Sequence, residues 1–133
     1  MSTTLSVSTD GAAAMLNPLS DLLDSGNAKV YSGTPPANAD ASLSGNTLLG
    51  TCPLSATSAP DTTTKTLTFN AITSDSSADA SGTASFFRLE SSGGDVHIQG
   101  LCGTTSAYAM VMTTTTITAG GTLPIASCTI TMP

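Results

Sequence analysis

The sequence predicts an all-β protein, an antiparallel β-sandwich or jelly-roll-like domain preceded by an N-terminal arm and one short helix. Three observations carry that prediction. From residue 27 onward the apolar residues fall in short, Thr-rich segments separated by clusters of Gly, Pro, Asn, Asp and Ser. One of those segments, residues 64–71, alternates with the period of a strand, Leu67 and Phe69 on one face and Thr66 and Thr68 on the other. Helical periodicity occurs once, before residue 26. At 133 residues the chain is long enough for one hydrophobic core and too short for two independent ones, so residues 1–26 are read as arm and helix and residues 27–133 as the β domain.

The helix is signalled by Ala12, Ala13, Met15, Leu16, Leu19, Leu22 and Leu23, with Asp10 placed to cap it and Gly26 to stop it. Pro18 interrupts this pattern, because it has no N–H to donate and its ring crowds the preceding turn. The uninterrupted helical segment is therefore 18–25, with Pro18 in its first turn.

Strands are expected at 28–31 and 47–54, joined by a loop (32–40) in which Pro35 and Pro36 exclude a central strand. After 64–71 comes the polar turn 74–82, then a strand at 83–90 in which Ser85, Phe87 and Leu89 oppose Phe86, Arg88 and Glu90. That alternation turns Phe86 away from the core and toward a partner. Ser91-Ser92-Gly93-Gly94-Asp95 is a hairpin signal, returning through 96–101 with Val96 and Ile98 inward and His97 and Gln99 outward. Strands at 109–116 and 123–132 flank the Ala119-Gly120-Gly121 turn. In the last one Leu123 and Ile125 share a parity opposite to that of Cys128, Ile130 and Met132, so a bulge or bend is expected near 124–127.

Charged residues make up only 9% of the chain, and the net charge of −6 rests on nine acids against Lys29, Lys65 and Arg88. So few cations cannot neutralise a phosphate backbone, which argues against direct nucleic-acid binding, and equally against an anionic membrane surface. No apolar run approaches the roughly 20 residues of a spanning helix. The first ten residues lack the pattern of a secretory signal. Cys52, Cys102 and Cys128 are odd in number, widely spaced and without a Cys-x-x-Cys pair. They are read as small buried hydrophobes in a protein made in a reducing cytoplasm, with one chance pairing left open.

Reactive chemistry is sparse. His97 is the sole histidine; Asp95 shares its strand parity while Cys102 falls on the other, so it is read as an exposed strand histidine rather than a base. Asp75 and Asp79 lack the spacing that surrounds a calcium ion and are read as residues bonding their own turn. Gly93-Gly94 and Gly120-Gly121 precede no helix and carry no P-loop lysine. No catalytic residue, cofactor or metal site is expected, and the chain is read as a non-enzyme. A surface covered by Thr, Ser and Ala is cheaper to desolvate than one rich in Lys and Glu, which suits a protein held against other proteins.

Three stretches carry a resemblance: AKVYSGTPPANAD at 28–40, NAITSDSSADASGTASFFR at 70–88, and TITAGGT at 116–122 with the closing TITMP at 129–133. In wording and order they resemble a family of small structural proteins of tailed bacteriophages, within which the chain is most similar to head decoration, or cement, proteins. The resemblance spans most of residues 28–133; the three cysteines are not part of it. It implies a virion component on the outer face of the capsid, made in the host cytoplasm. Its partner would be the major capsid protein, stabilised at the contacts between capsomers, and it would act as a homotrimer. On that reading Leu5, Val7, Met15 and Leu16 are the expected capsid contacts in the arm and helix, with Phe86 added from its strand parity. A head–tail joining or tail subunit, and a glycan- or receptor-binding tip module, are the alternatives.

Overall fold

The computed structural model describes residues 6–132. Its secondary structure is mostly β, with a helix α1 (Thr9–Leu22) followed by β1 (Asn27–Tyr31), β2 (Leu48–Pro53), β3 (Thr66–Thr68), β4 (Gly82–Thr83), β5 (Phe86–Glu90), β6 (Val96–Gly103), β7 (Met110–Met112), β8 (Thr116–Ile117) and β9 (Ile125–Thr131).

The helix starts earlier than its proline suggested. Ser8, in extended backbone, caps it by accepting from the Gly11 N–H at 3.0 Å, and Asp10 occupies the first turn instead of capping. Pro18 lies inside the helix, where it normally costs about 3 kcal/mol. Tertiary contacts offset that cost. Leu16 and Leu23 are fully buried in the main core. Asn17 forms a two-way bridge to Thr62, accepting from its N–H at 2.8 Å and donating to its carbonyl at 3.1 Å. Ser58 donates its hydroxyl to the Ser20 carbonyl at 2.6 Å and its N–H to the Asp24 carboxylate at 2.8 Å. The helix is thus latched along its length to the segment before β3. Ser25 (φ 57°) supplies the left-handed turn at its end. Gly26 is needed for a different reason: a Cβ there would lie 2.1 Å from the Glu90 carbonyl oxygen.

Seven strands form one sheet in the order β2-β1-β5-β6-β7-β9-β3, and β4 and β8 form a separate two-stranded sheet. All pairs are antiparallel except β6 and β7, which run parallel through Cys102↔Met110 and Gly103↔Val111. The sheet is therefore mixed, a correction to the antiparallel expectation. The parallel pair is joined by residues 104–109, which double back over the end of β6.

Two local expectations are met. The hairpin between β5 and β6 closes with Ser91 N–H to Asp95 O at 2.9 Å, Gly94 N–H to Ser91 O at 2.9 Å, and Gly94 at φ 94°. The bulge falls on Ala126, skipped between the pairs Val111↔Ser127 and Met112↔Ile125. It keeps Ile125 and Cys128 facing the same core. Two expected strands are broken in two: 83–90 separates into β4 and β5, and 109–116 into β7 and the start of β8.

The inward face of the large sheet gathers Ala28, Val30, Leu49, Phe87, Leu89 and Met110 with the two buried helix leucines. Cys52, Cys102 and Cys128 are free and buried within it. The ends of the sheet are closed by the chain itself. Along β2, the Thr51 N–H donates to the Asp75 carboxylate at 3.1 Å and the Asp79 N–H to the Leu49 carbonyl at 2.8 Å. Along β3, the Thr66 carbonyl accepts from the Thr62 and Thr64 hydroxyls at 2.9 and 3.2 Å. Such closure removes the template for adding a further strand.

Candidate functional surfaces

The outward face of the large sheet is divided in two. Over β1, β5 and the start of β6 it is roofed by the loop between β1 and β2. Arg88 is buried beneath that roof. Its guanidinium donates to the carbonyls of Ala41 at 2.6 Å and Asn38 at 3.4 Å, and to Gln99 Oε1 at 2.9 Å. Gln99 in turn donates to the Pro36 carbonyl at 2.9 Å. Beside them Lys29 and Glu90 form an ion pair at 3.0 Å, and Tyr31 stacks on Phe86 with ring centroids 5.2 Å apart. Burial, the largest influence on Tyr31, raises the pKa of its phenol.

The roof ends at Leu101, which pairs with Phe86 and is 51% exposed. From there across β7, β9 and β3 of the outward face the β1–β2 loop contributes no hydrogen bond, and Tyr108 of the 104–109 segment covers Gly103. Strand parity and pairing place on it Leu101 and Gly103 of β6, Val111 of β7, Ser127, Thr129 and Thr131 of β9, and Thr66 and Thr68 of β3. No residue in this group is charged. The Thr66 and Thr131 hydroxyls bond each other at 3.1 Å. Tyr108, 39% exposed, lies flat against Gly103, where a Cβ would come within 2.3 Å of its ring. It forms one wall of a shallow open groove of about 280 Å³, with Ser106, Ala107, Ala109, Thr129 and Thr131 as the rest of the lining.

A second surface is the outer side of α1. With Ala12, Leu16 and Ser20 turned inward, the 3.6-residue period turns Ala14, Pro18, Met15 and Leu22 outward, with Asp10 and Asp21 along one margin. Met15 and Leu22 are 47% and 53% exposed. Val7 is half-buried and sits beside Gly11, whose absent Cβ would touch Val7 Cγ1 at 3.5 Å.

Of the contact residues expected from sequence, Met15 is on this outer face and Val7 adjoins it. Leu5 lies outside the described residues. Leu16 and Phe86 are both fully buried, a correction in each case. Leu16 is one position round the helix from Met15 and points into the core. Phe86 does face away from the main core, as its parity required, but it is fully buried, with the Tyr31 ring stacked on it. Leu22 belonged to the expected helical stripe and is instead exposed, one heptad beyond Met15; Leu101 and Tyr108 gave no signal of their own.

The reactive residues are spread apart. His97 is half-buried at a bulge, skipped between Leu89↔Ile98 and Glu90↔Val96, rather than fully exposed as its alternation suggested. Asp75 accepts from the Ser77 N–H at 2.9 Å within its own turn, as expected, and clamps Thr51 besides. Burial raises the thiol pKa values of Cys52 and Cys102 to about 11 and of Cys128 to about 12, the opposite of what activates a nucleophilic cysteine. Among the described residues no cluster of three or more His, Cys, Asp or Glu side chains is placed to hold a metal ion, and no helix is long and apolar enough to cross a membrane. Comparison with protein-family models, with curated proteins and with solved structures finds no match to this chain.

Proposed function

We propose that this protein is a capsid decoration, or cement, protein that binds the outer surface of a tailed-phage head and stabilises contacts between capsomers, with the major capsid protein as its partner. The observation that carries the reading is the outer face of α1. Met15, Pro18 and Leu22 form an apolar strip on a helix that is fixed to the domain through Leu16, Leu23, Asn17 and Ser20. A strip held this rigidly loses little conformational freedom on docking, which favours binding. The resemblance to phage structural proteins, over most of residues 28–133, supports the same reading. We take the seven-stranded sheet, together with the β4–β8 pair and α1, as a sandwich-like body. Many copies, each bound modestly, stiffen a shell through multivalency without any single strong site.

The test is co-sedimentation of the purified protein with expanded capsids that lack it. Near-stoichiometric binding is expected, with hundreds of copies per virion by gel densitometry. Met15→Lys and Leu22→Lys should abolish capsid binding while leaving the melting temperature within a few degrees of the parent. Absence of binding together with a low copy number would rule the reading out.

A further inference from the structure

We propose that Lys29, Tyr31 and Arg88 form a binding site for a single carboxylate, presented as an acidic side chain by a partner protein. Two hydrogen-bonding atoms there are left unused. Arg88 is 6% exposed, and its guanidinium donates to protein acceptors through Nε and Nη2 only. Tyr31 is 7% exposed, and among the described residues its hydroxyl makes no hydrogen bond. Every buried side-chain nitrogen and oxygen of the described residues does have a partner. Arg88 Nη1 and Tyr31 Oη are therefore the points at which two otherwise buried side chains reach solvent, and both can donate.

Register brings these atoms to one place. Lys29 and Arg88 are direct partners across β1 and β5, and Tyr31 follows two residues along β1 on the same outward face. Both cations act on the Tyr31 phenol. Burial has the larger influence and raises its pKa from 10.0, while Lys29 and Arg88 lower it and Glu90 raises it. The phenol is thus a neutral donor within reach of both positive charges.

Charge identifies the ligand. Like charges directly opposite each other normally weaken a sheet. Lys29 is offset by Glu90 at 3.0 Å, whereas Arg88 has only the neutral oxygens of Asn38, Ala41 and Gln99. A buried cation without a carboxylate is costly, and an anion offers it a stronger hydrogen bond than a carbonyl does. Lys29, Arg88 and Glu90 together leave one positive charge, in a chain of net charge −6. A monoanion neutralises that charge. A dianionic phosphate overshoots it and is repelled by the rest of the chain. The Lys29 side chain is 31% exposed, so the site is an open edge beside the roof rather than an enclosed cavity. Such an edge encloses little of a free small molecule, and it suits a carboxylate positioned by the remainder of a partner.

Titration of the ¹⁵N-labelled protein by NMR tests the proposal, because Arg88 is the only arginine and its Nε–H gives a single resonance. At constant ionic strength, a blocked tripeptide with glutamate at its centre should shift that resonance saturably, with a Kd on the order of 1–10 mM. The same peptide with glutamine should not. Lys29→Gln should weaken binding at least fivefold. Tyr31→Phe, which keeps the ring on Phe86 and removes only the hydroxyl, should weaken it at least threefold. Glu90→Gln releases Lys29 and adds a positive charge, and should tighten binding at least twofold. Lys65→Gln removes a cation beside β3, at the other end of the sheet, and should leave the Kd within about 1.5-fold. The amide spectrum of each variant establishes that it is folded. A shift no larger than the glutamine peptide produces would overturn the proposal. So would a shift indifferent to Lys29→Gln and Tyr31→Phe, the mark of unspecific attraction, and so would tighter binding of acetate or inorganic phosphate than of the glutamate peptide. None of these measurements involves the Met15–Leu22 strip or a capsid, so this inference and the decoration reading fail independently.

Discussion

Arg88 Nε donates to Gln99 Oε1 at 2.9 Å across the β5–β6 pair, and through these two side chains the outward face of the sheet holds its own roof. Arg88 takes the Asn38 and Ala41 carbonyls and Gln99 takes the Pro36 carbonyl. Removing the guanidinium takes away the charged donor to the Ala41 carbonyl and to Gln99 Oε1 and empties a buried site. Arg88→Ala should therefore cost about 2–4 kcal/mol, as expected for losing charge-assisted hydrogen bonds in a buried network. Urea unfolding measures this, and limited proteolysis should show new cleavage within 36–41.

Met15 and Leu16 adjoin in sequence and differ wholly in environment. Leu16→Ala opens a cavity in the core and should cost about 2–5 kcal/mol. Met15→Ala should change stability by less than about 0.5 kcal/mol, as an exposed substitution does. Chemical denaturation of the two variants side by side checks the assignment of helix faces.

Gly103 and Tyr108 are coupled by contact. A Cβ at residue 103 meets the Tyr108 ring at 2.3 Å, so Gly103→Ala must push the ring off its seat at a cost of about 1–3 kcal/mol. Tyr108→Ala should relieve most of that cost. A double-mutant cycle by urea denaturation is expected to give a coupling energy above about 0.5 kcal/mol. Additive effects would show that the ring does not rest on Gly103.

The three thiols bind their protons more tightly in the fold than their ordinary value of 9.0, because burial opposes the thiolate. In the window above pH 9 the native state retains protons that the unfolded state loses. The stability contributed by the neutral thiols is therefore complete below pH 9 and declines as pH rises toward about 11 for Cys52 and Cys102 and about 12 for Cys128. The limiting slope is about 1.4 kcal/mol per pH unit for each thiol. Urea titrations between pH 8 and 10.5 should follow this decline for the parent and a shallower one for Cys128→Ala. At pH 8 a chromogenic disulfide reagent should react with the thiols only at the rate of unfolding.

Local chemistry was legible wherever it is decided within a few residues. The Gly-rich hairpin at 91–95 and the Ala126 bulge were both read from turn residues and from a switch in parity, since a strand whose apolar set changes faces must insert a residue. The buried cysteines followed from their small, apolar character. The start of the helix was misread because Pro18 and Asp10 were weighed on intrinsic preference alone. The bridges from Asn17 to Thr62 and from Ser20 to Ser58 reach across more than thirty positions, and they outweigh what a proline costs.

Composition and periodicity are enough to show that the chain is built mainly of short strands, that its surface is poor in charge, and which side of each strand is apolar. Which outward-facing residues meet solvent depends on contacts between segments far apart in the chain. Phe86 and Leu101 are paired on the same face of the same sheet, yet one is fully buried and the other half exposed. Strand parity is a local property and assigns both to that face. What separates them is tertiary: the Tyr31 ring stacks on Phe86 at 5.2 Å, on the side of the sheet where Arg88 and Gln99 hold the β1–β2 loop.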